Sequence, residues 1–322
     1  MPSDTRTGLV LAVGSSLAFG LSGSLARGLF DTGWSPGAVV LIRISIGALV
    51  VLPWGVAALA GRWHLLRRNA ALVVTYGLLA VAGAQFCFFA AIQRMDVGPA
   101  LLIEFTAPAA VVVWMWARHG QRPNRLTVAG AVIAALGLAL VLDLVAGVTL
   151  DGVAVAWALA AMVGCATYFV VNGNVTTGLP PLALAAGGLV VGGFGLGVLG
   201  LIGALPLHTN TADVRLADAT VAWWTPLLLL GVVTAGIAYV TGIAAGRRLG
   251  SRLASFVSLL EVVAGVGFAW LLLDQVPRGV QVAGGLLILL GVITVRLGET
   301  TVPRHAERPD QTNVDDAWAP VP

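Results

Sequence analysis

Ala129-Gly130-Ala131-Val132-Ile133-Ala134-Ala135-Leu136-Gly137 returns 154 residues later as Ala283-Gly284-Gly285-Leu286-Leu287-Ile288-Leu289-Leu290-Gly291. Both copies are apolar throughout and both carry a Gly-x6-Gly pair. Working outward in the same register, Ala90-Ala91 returns as Ala244-Ala245 and Trp116 as Trp270. In a chain so rich in Ala, Gly, Val and Leu a single identity carries little weight, but runs in register carry more. A repeat of this kind sets the fold, so it is the first thing to establish.

Composition says what medium the repeat sits in. Hydrophobic residues make up 58% of the 322-residue chain and charged residues 10%, with a mean hydropathy of +0.94. Soluble domains carry about 25% charged residues, so a water-soluble fold is excluded. Ten apolar runs approach the ~20 residues a helix needs to cross hydrocarbon: 8–30, 36–58, 70–92, 97–117, 126–143, 152–172, 181–205, 222–245, 252–274 and 279–297. Each copy holds five. An odd number makes the second copy enter from the opposite side, an arrangement characteristic of secondary transporters. The expected fold is an all-α polytopic membrane protein, ten transmembrane helices in two inverted five-helix repeats. The expected domains are 1–147 (helices one to five), 148–298 (helices six to ten), and a polar, proline-bearing tail, 299–322, disordered in the cytoplasm. The first run is too long for a signal-peptide core of about 7–15 residues and is read as retained.

Spans one and six align at an offset of 144 (Gly8 with Gly152, Gly20 with Gly164), whereas later spans need 154. About ten residues are therefore inserted in the second copy, and Leu205–Ala222 is the longest connection in the chain. The 18 positive residues are all arginine. Alternating the loops puts Arg6, Arg62, Arg67, Arg68, Arg118, Arg122, Arg125, Arg247, Arg248, Arg252, Arg296, Arg304 and Arg308 on one side, thirteen in all. Arg94, Arg215 and Arg278 fall on the other, among several aspartates. The bias predicts a multi-pass protein of the cytoplasmic membrane with both termini in the cytoplasm. It also explains the pI near 9.4 through anionic lipid headgroups rather than nucleic acid.

Four charged residues, Arg27, Arg43, Glu104 and Glu261, fall inside spans. A charge at the bilayer centre costs at least about 2.5–3.5 kcal/mol and marks a bundle interior, a cavity or a partner. Arg27 is close enough to a span end to snorkel. Arg43 and Glu104 lie at similar depth, which leaves two readings: an ion pair that holds helices together, or an arginine fork facing a cavity and gripping a substrate carboxylate. Glu261 has no cation at its depth in its own copy. A lone carboxyl in low dielectric favours its neutral form, so Glu261 either carries a coupling proton or is a neutral acid bonded to Ser255 or Ser258. Pro108, one turn beyond Glu104, deprives a backbone carbonyl of its donor and should kink span four. Ser15, Ser16, Ser22, Ser24, Tyr76, Gln85, Thr167, Tyr168 and Tyr239 either line a cavity or bond between helices. Trp34, Trp54, Trp63, Trp223 and Trp224 read as interface anchors. Cys87 and Cys165 lie in apolar surroundings in different copies and read as packing residues. His64, His119, His208 and His305 are scattered without metal-ligand spacing, and neither a phosphate-binding loop nor a catalytic cluster occurs. No enzyme activity, metal or cofactor is expected.

Ser24-Leu-Ala-Arg27-Gly-Leu-Phe30, Leu41-Ile-Arg43, Glu104-Phe-Thr-Ala-Pro108 and Leu259-Leu-Glu261 resemble, in this order, the EamA family of the drug/metabolite transporter superfamily, and within it the threonine/homoserine exporter branch. The likeness covers nearly all of 8–297. It implies a central cavity and export of amino acids or related metabolites by proton exchange. Two departures stand out. Val262 follows the span-nine glutamate where the family usually has proline, and Asp274-Gln275 closes that span where Gly-Glu is common.

The sequence thus leads to a secondary transporter working by alternating access, with a small amino-acid-like substrate, protons and the lipid bilayer as its partners and no nucleic acid. Substrate would meet Arg43, Glu104, Gln85, Ser24, Tyr168 and Tyr239; the proton would use Glu261 and Glu104. A broad-substrate facilitator without tight ion coupling, and a non-transporting membrane scaffold or enzyme, are the alternatives.

Overall fold

Three helix starts carry conventional side-chain caps. The Ser35 hydroxyl accepts from the Ala38 N–H at 3.3 Å and Pro36 follows at the first helical position, which starts α2 (Pro36–Ala58) directly after α1 (Ser3–Asp31). The computed structural model describes residues 3–107, 110, 124–141, 151–173, 177–242, 244–245, 248 and 257–299. Pro108 and the tail from 300 onward lie outside them, as does Ser255.

A short helix, Trp63–Arg68, leads into α3 (Ala70–Ile92), followed by α4 (Val97–Glu104). Asn124 caps α5 (Arg125–Val141) by accepting the Thr127 N–H at 2.7 Å. Asp151 caps α6 (Gly152–Gly173) by accepting from Val153 at 2.9 Å and Ala154 at 3.2 Å. Then come α7 (Pro181–Leu201), α8 (Trp224–Gly242), α9 (Leu260–Leu273) and α10 (Gly279–Glu299). Of these, α1, α2, α3, α7 and α8 are long and apolar enough to cross a membrane, and α5, α6, α9 and α10 are shorter apolar helices.

The packing is duplicated. Helix α2 packs on α7, α4 on α9, and α5 on α10; α1 on α8 is matched by α6 on α3, α1 on α9 by α6 on α4, and α2 on α8 by α7 on α3. Advancing the helices of these pairs by five returns the same pairs, as two copies related by a pseudo-twofold require. The glycines that revealed the repeat pack across the α5–α10 contact. A Cβ on Gly137 would stand 2.6 Å from the Gly284 carbonyl oxygen, and one on Gly291 would stand 2.6 Å from that of Gly130. Glycine is needed because the two backbones touch.

The arginine-poor connections gather at one end of the bundle. The Ser35 hydroxyl donates to the Pro206 carbonyl at 2.7 Å, Asn210 donates to Thr32, and Arg27 donates to the Ile92 carbonyl at 2.6 Å. Arg94 meets Asp151 at 3.4 Å, and the Gln275 side chain accepts the Val97 N–H at 3.1 Å. At the opposite end the Asn69 amide donates to Thr177.

Within the long connection β1 (Val214–Leu216) pairs antiparallel with β2 (Ala219–Val221), Val214 opposite Val221. Helices form the spans and this hairpin covers their arginine-poor end. One expectation needs correcting. Trp34 is no interface anchor. It is only 3% exposed and stacks on Trp223 at 6.0 Å, because the inserted connection folds over it. Trp54, Trp63 and Trp224 remain exposed.

Candidate functional site

Both copies interrupt regular α-helix at matching places, and the interruptions build the site. In α3 the stretch Tyr76–Gly83 is π-helical, and in α8 so is Leu229–Ile237, 153 to 154 residues later. Short π segments occur often at functional sites. In α8 the Ala238 N–H bonds to the Val233 carbonyl and so bypasses that of Thr234. Arg43 takes the bypassed oxygen, its terminal nitrogen donating at 3.2 Å.

The second pair of interruptions involves α4 and α9. Helix α4 stops at Glu104; the Thr106 hydroxyl and N–H both turn back to the Ile103 carbonyl, at 2.7 and 3.1 Å. Residue 108, being proline, offers no N–H to the Glu104 carbonyl, so the stop is written in the sequence. Helix α9 starts only after a turn at Ser258–Leu259, with the Glu261 N–H on the Ser258 carbonyl at 3.0 Å. The second copy is therefore broken too, although Val262 stands where proline was expected. The two turns lie 153 residues apart.

Around these breaks the predicted residues converge. Arg43 is 3% exposed, its guanidinium carbon 5.3 Å from the centre of the Phe89 ring, a cation–π contact. Glu104, Glu261 and Tyr239 lie within its electrostatic reach. Gln85 sits beside the Tyr239 phenol, and Tyr168 faces Tyr76 at 6.1 Å between ring centres and interacts with Tyr239 and Glu261. Gln85 and Tyr239 occupy the same position in the two copies, 154 residues apart.

The ion-pair reading of Arg43 with Glu104 does not hold. No such pair forms within 4.0 Å; among the described residues the ion pairs are Arg27–Asp31 at 3.2 Å and Arg94–Asp151 at 3.4 Å. Burial leaves Arg43 held by a carbonyl and a ring, with its Nε unpartnered. Four buried side-chain polar atoms among the described residues lack a partner: Ser24 Oγ, Arg43 Nε, Gln85 Oε1 and Trp34 Nε1. Such atoms are rare in folded proteins, and three of them belong to residues chosen as substrate ligands. Ser24 is wholly buried on α1 but makes no hydrogen bond to the cluster.

Other polar residues hold helices. Ser15 donates to the Ala238 carbonyl at 2.8 Å, Ser16 to Val257 at 3.2 Å, and Thr167 to Val163 within its own helix at 2.9 Å. Arg27 braces the end of α3 while pairing with Asp31. Cys87 and Cys165 are not joined in a disulfide. The groups that sequence reasoning missed are Phe89, Thr234 and the π segments. No short-range pattern announces a π segment, although the duplicated Gly77 and Gly231 lie in both.

Known proteins place this site in a family. A sequence profile of the EamA-like transporter family matches residues 6–143 and 152–297. Threonine/homoserine exporter RhtA of Salmonella typhimurium (strain LT2) is 27% identical over 300 residues, covering 90% of each chain. Pseudopaline exporter CntI of Pseudomonas aeruginosa is 25% identical over 298 residues, covering 90% of this chain and 96% of its own. A chain of known crystal structure superposes with a TM-score of 0.60 at 20% identity, covering 92% of this chain and 98% of its own, which bears on the fold alone. Two consecutive family matches over two duplicated halves leave one assignment: the chain belongs to the EamA-like transporter family, as a multi-pass membrane transporter rather than an enzyme.

Proposed function

We propose that the protein exports amino acids or closely related small zwitterions by alternating access, driven by exchange for protons. The observation that carries this reading is Arg43: a guanidinium buried at the helix breaks, with an idle Nε and no carboxylate within pairing distance. A planar fork so placed suits a substrate carboxylate. Glu104, at the end of α4, orients the substrate or the arginine. Glu261, in the first turn of α9, takes up and releases the proton, while Gln85, Tyr168, Tyr239 and Ser24 complete the pocket. Discontinuous helices that meet near the middle of an inverted repeat are the recurrent setting of transporter substrate sites. The relatives named as exporters of threonine, homoserine and pseudopaline support an amino-acid-like substrate. With the arginine-rich end in the cytoplasm, both termini lie inside and the hairpin end faces out; a C-terminal tag reachable by antibody in intact cells would reverse that orientation.

The test is L-threonine efflux from proteoliposomes with an imposed pH gradient. Glu261→Gln is expected to remove the acceleration that the gradient gives and to leave threonine binding intact. Unchanged gradient-driven efflux would assign the proton elsewhere. Efflux indifferent to pH in the wild type would favour a facilitator.

A further inference from the structure

A polar cavity of about 440 Å³ opens at the arginine-poor end, between the start of the α1–α2 turn, the hairpin and the end of α9. Arg27, Asp31, Asp213, Arg215, Asp274 and Gln275 line it. Arg27 and Asp31 neutralise each other. Arg215 spends its Nε on the Ala217 carbonyl at 3.3 Å and has no carboxylate within 4.0 Å. Asp213 and Asp274 likewise have no cation within that distance. One cation and two anions, all exposed and outside any ion pair, thus line the same open cavity.

The backbone is also fixed there. Among the described residues only two non-glycine residues have positive φ, Ala217 at 51° and Asp274 at 55°, and both line this cavity. Ala217 is in the tight turn of the hairpin and Asp274 is the left-handed C-cap of α9, so both rim positions are set by their local elements. Here the Ala217 N–H is tied to the Leu272 carbonyl at 2.8 Å, which locks the hairpin to α9, and Gly28 lets Val214 and Leu216 lie against α1.

We infer that this cavity is a release site for a zwitterionic amino acid, its carboxylate on Arg215 and its ammonium between Asp213 and Asp274. The inference rests on the export reading above and adds a second station on the way out. An open, hydrated vestibule binds weakly, with Kd about 1 mM, so that solute leaves rather than accumulates.

The experiment uses the purified full chain in detergent, with Cys87→Ala and Cys165→Ala and a reporter Thr32→Cys at the rim. The rate of labelling by a charged maleimide is read with and without L-threonine. At about 10 mM the occupied site should slow labelling about ten-fold. Threoninamide, which lacks the carboxylate, and N-acetylthreonine, which lacks the ammonium, should slow it less than about two-fold. Arg215→Gln should abolish protection, while Arg215→Lys, which keeps the charge, should retain part of it. Equal protection by threoninamide, protection that survives Arg215→Gln, or none by L-threonine would overturn the site. Wild-type efflux with no protection sinks this site and spares the export reading. Protection with no efflux does the reverse.

Discussion

Helices α5 and α10 meet as equivalents, whereas α4 and α9 meet as unlike halves. The first pair places Gly137 on the Gly284 carbonyl and Gly291 on that of Gly130, equivalent backbone contacts in the two copies. The second pair shares only the position of its break. Helix α4 carries its glutamate at its last residue, and α9 carries its own in its first turn, after a turn that needs no proline. Duplication therefore conserved the geometry in which a helix stops and let the charges drift. A pseudo-symmetric scaffold needs interchangeable contacts to have two states of similar energy. A site that tells substrate from proton needs the reverse.

Substitutions put this contrast to the test. Arg43→Lys should have the largest effect, since a point charge cannot reproduce the two-pronged contact; a loss of about 2–3 kcal/mol lowers threonine efflux some 30- to 150-fold. Efflux within a factor of two of wild type would move the chemistry away from Arg43. Next is Gly137→Ala, which drives a methyl into the α10 backbone and should cost about 1–3 kcal/mol in detergent melting. Gly267, with nothing within 4 Å of its missing Cβ, provides the matched control, expected within about 0.5 kcal/mol. Equal melting of the two variants would show that the α5–α10 contact adds no stability to the scaffold. Ser15→Ala, which deletes one hydrogen bond from α1 to α8, should cost about 0.6 kcal/mol and leave transport untouched. A transport defect there would extend the site along α1 from Ser24 to Ser15.

The smallest effect is expected at Asp151. N–H bonds from Ala154 and Val153, then Arg94, hold its carboxyl below the usual carboxylate range. A lowered value means the carboxylate form favours the fold. That contribution is present above pH ~4, where the free residue ionises, and is lost as pH falls further. Asp151→Asn should therefore reduce the acid sensitivity of melting below pH ~4 and change little at neutrality. An unchanged acid limb would show that this link between the copies carries no stability.

Much of the scaffold was legible because it follows from spacing alone. The glycine pair, five spans per copy and an odd crossing count are properties of the sequence in register, and the helices pack as those properties require. The break at Glu104 was legible through Pro108, since a missing N–H is covalent. The break before Glu261 was not, because Val262 carries no such signature and the turn depends on how α9 seats against α1 and α4. Arg43, Gln85, Tyr168, Tyr239 and both glutamates could be chosen because polar groups in an apolar run are conspicuous. Thr234 could not, since its backbone oxygen matters only once the winding of α8 changes. Trp34 was misread for a related reason. An aromatic at a span end looks like an anchor until ten inserted residues fold over it.

Consider finally the winding of α3 and α8. A π segment holds a surplus residue in its turns, and releasing it into ordinary α-helix would rotate the chain beyond by about 100°. What lies just beyond is Gln85 in one copy and Tyr239 in the other. A structure of the alternate state with both segments still π-wound would show that the scaffold turns about something else. With one of them rewound, a single local change of pitch would turn a pocket residue away from the substrate while its counterpart stayed, so a symmetric fold could grip and release the same molecule from opposite walls.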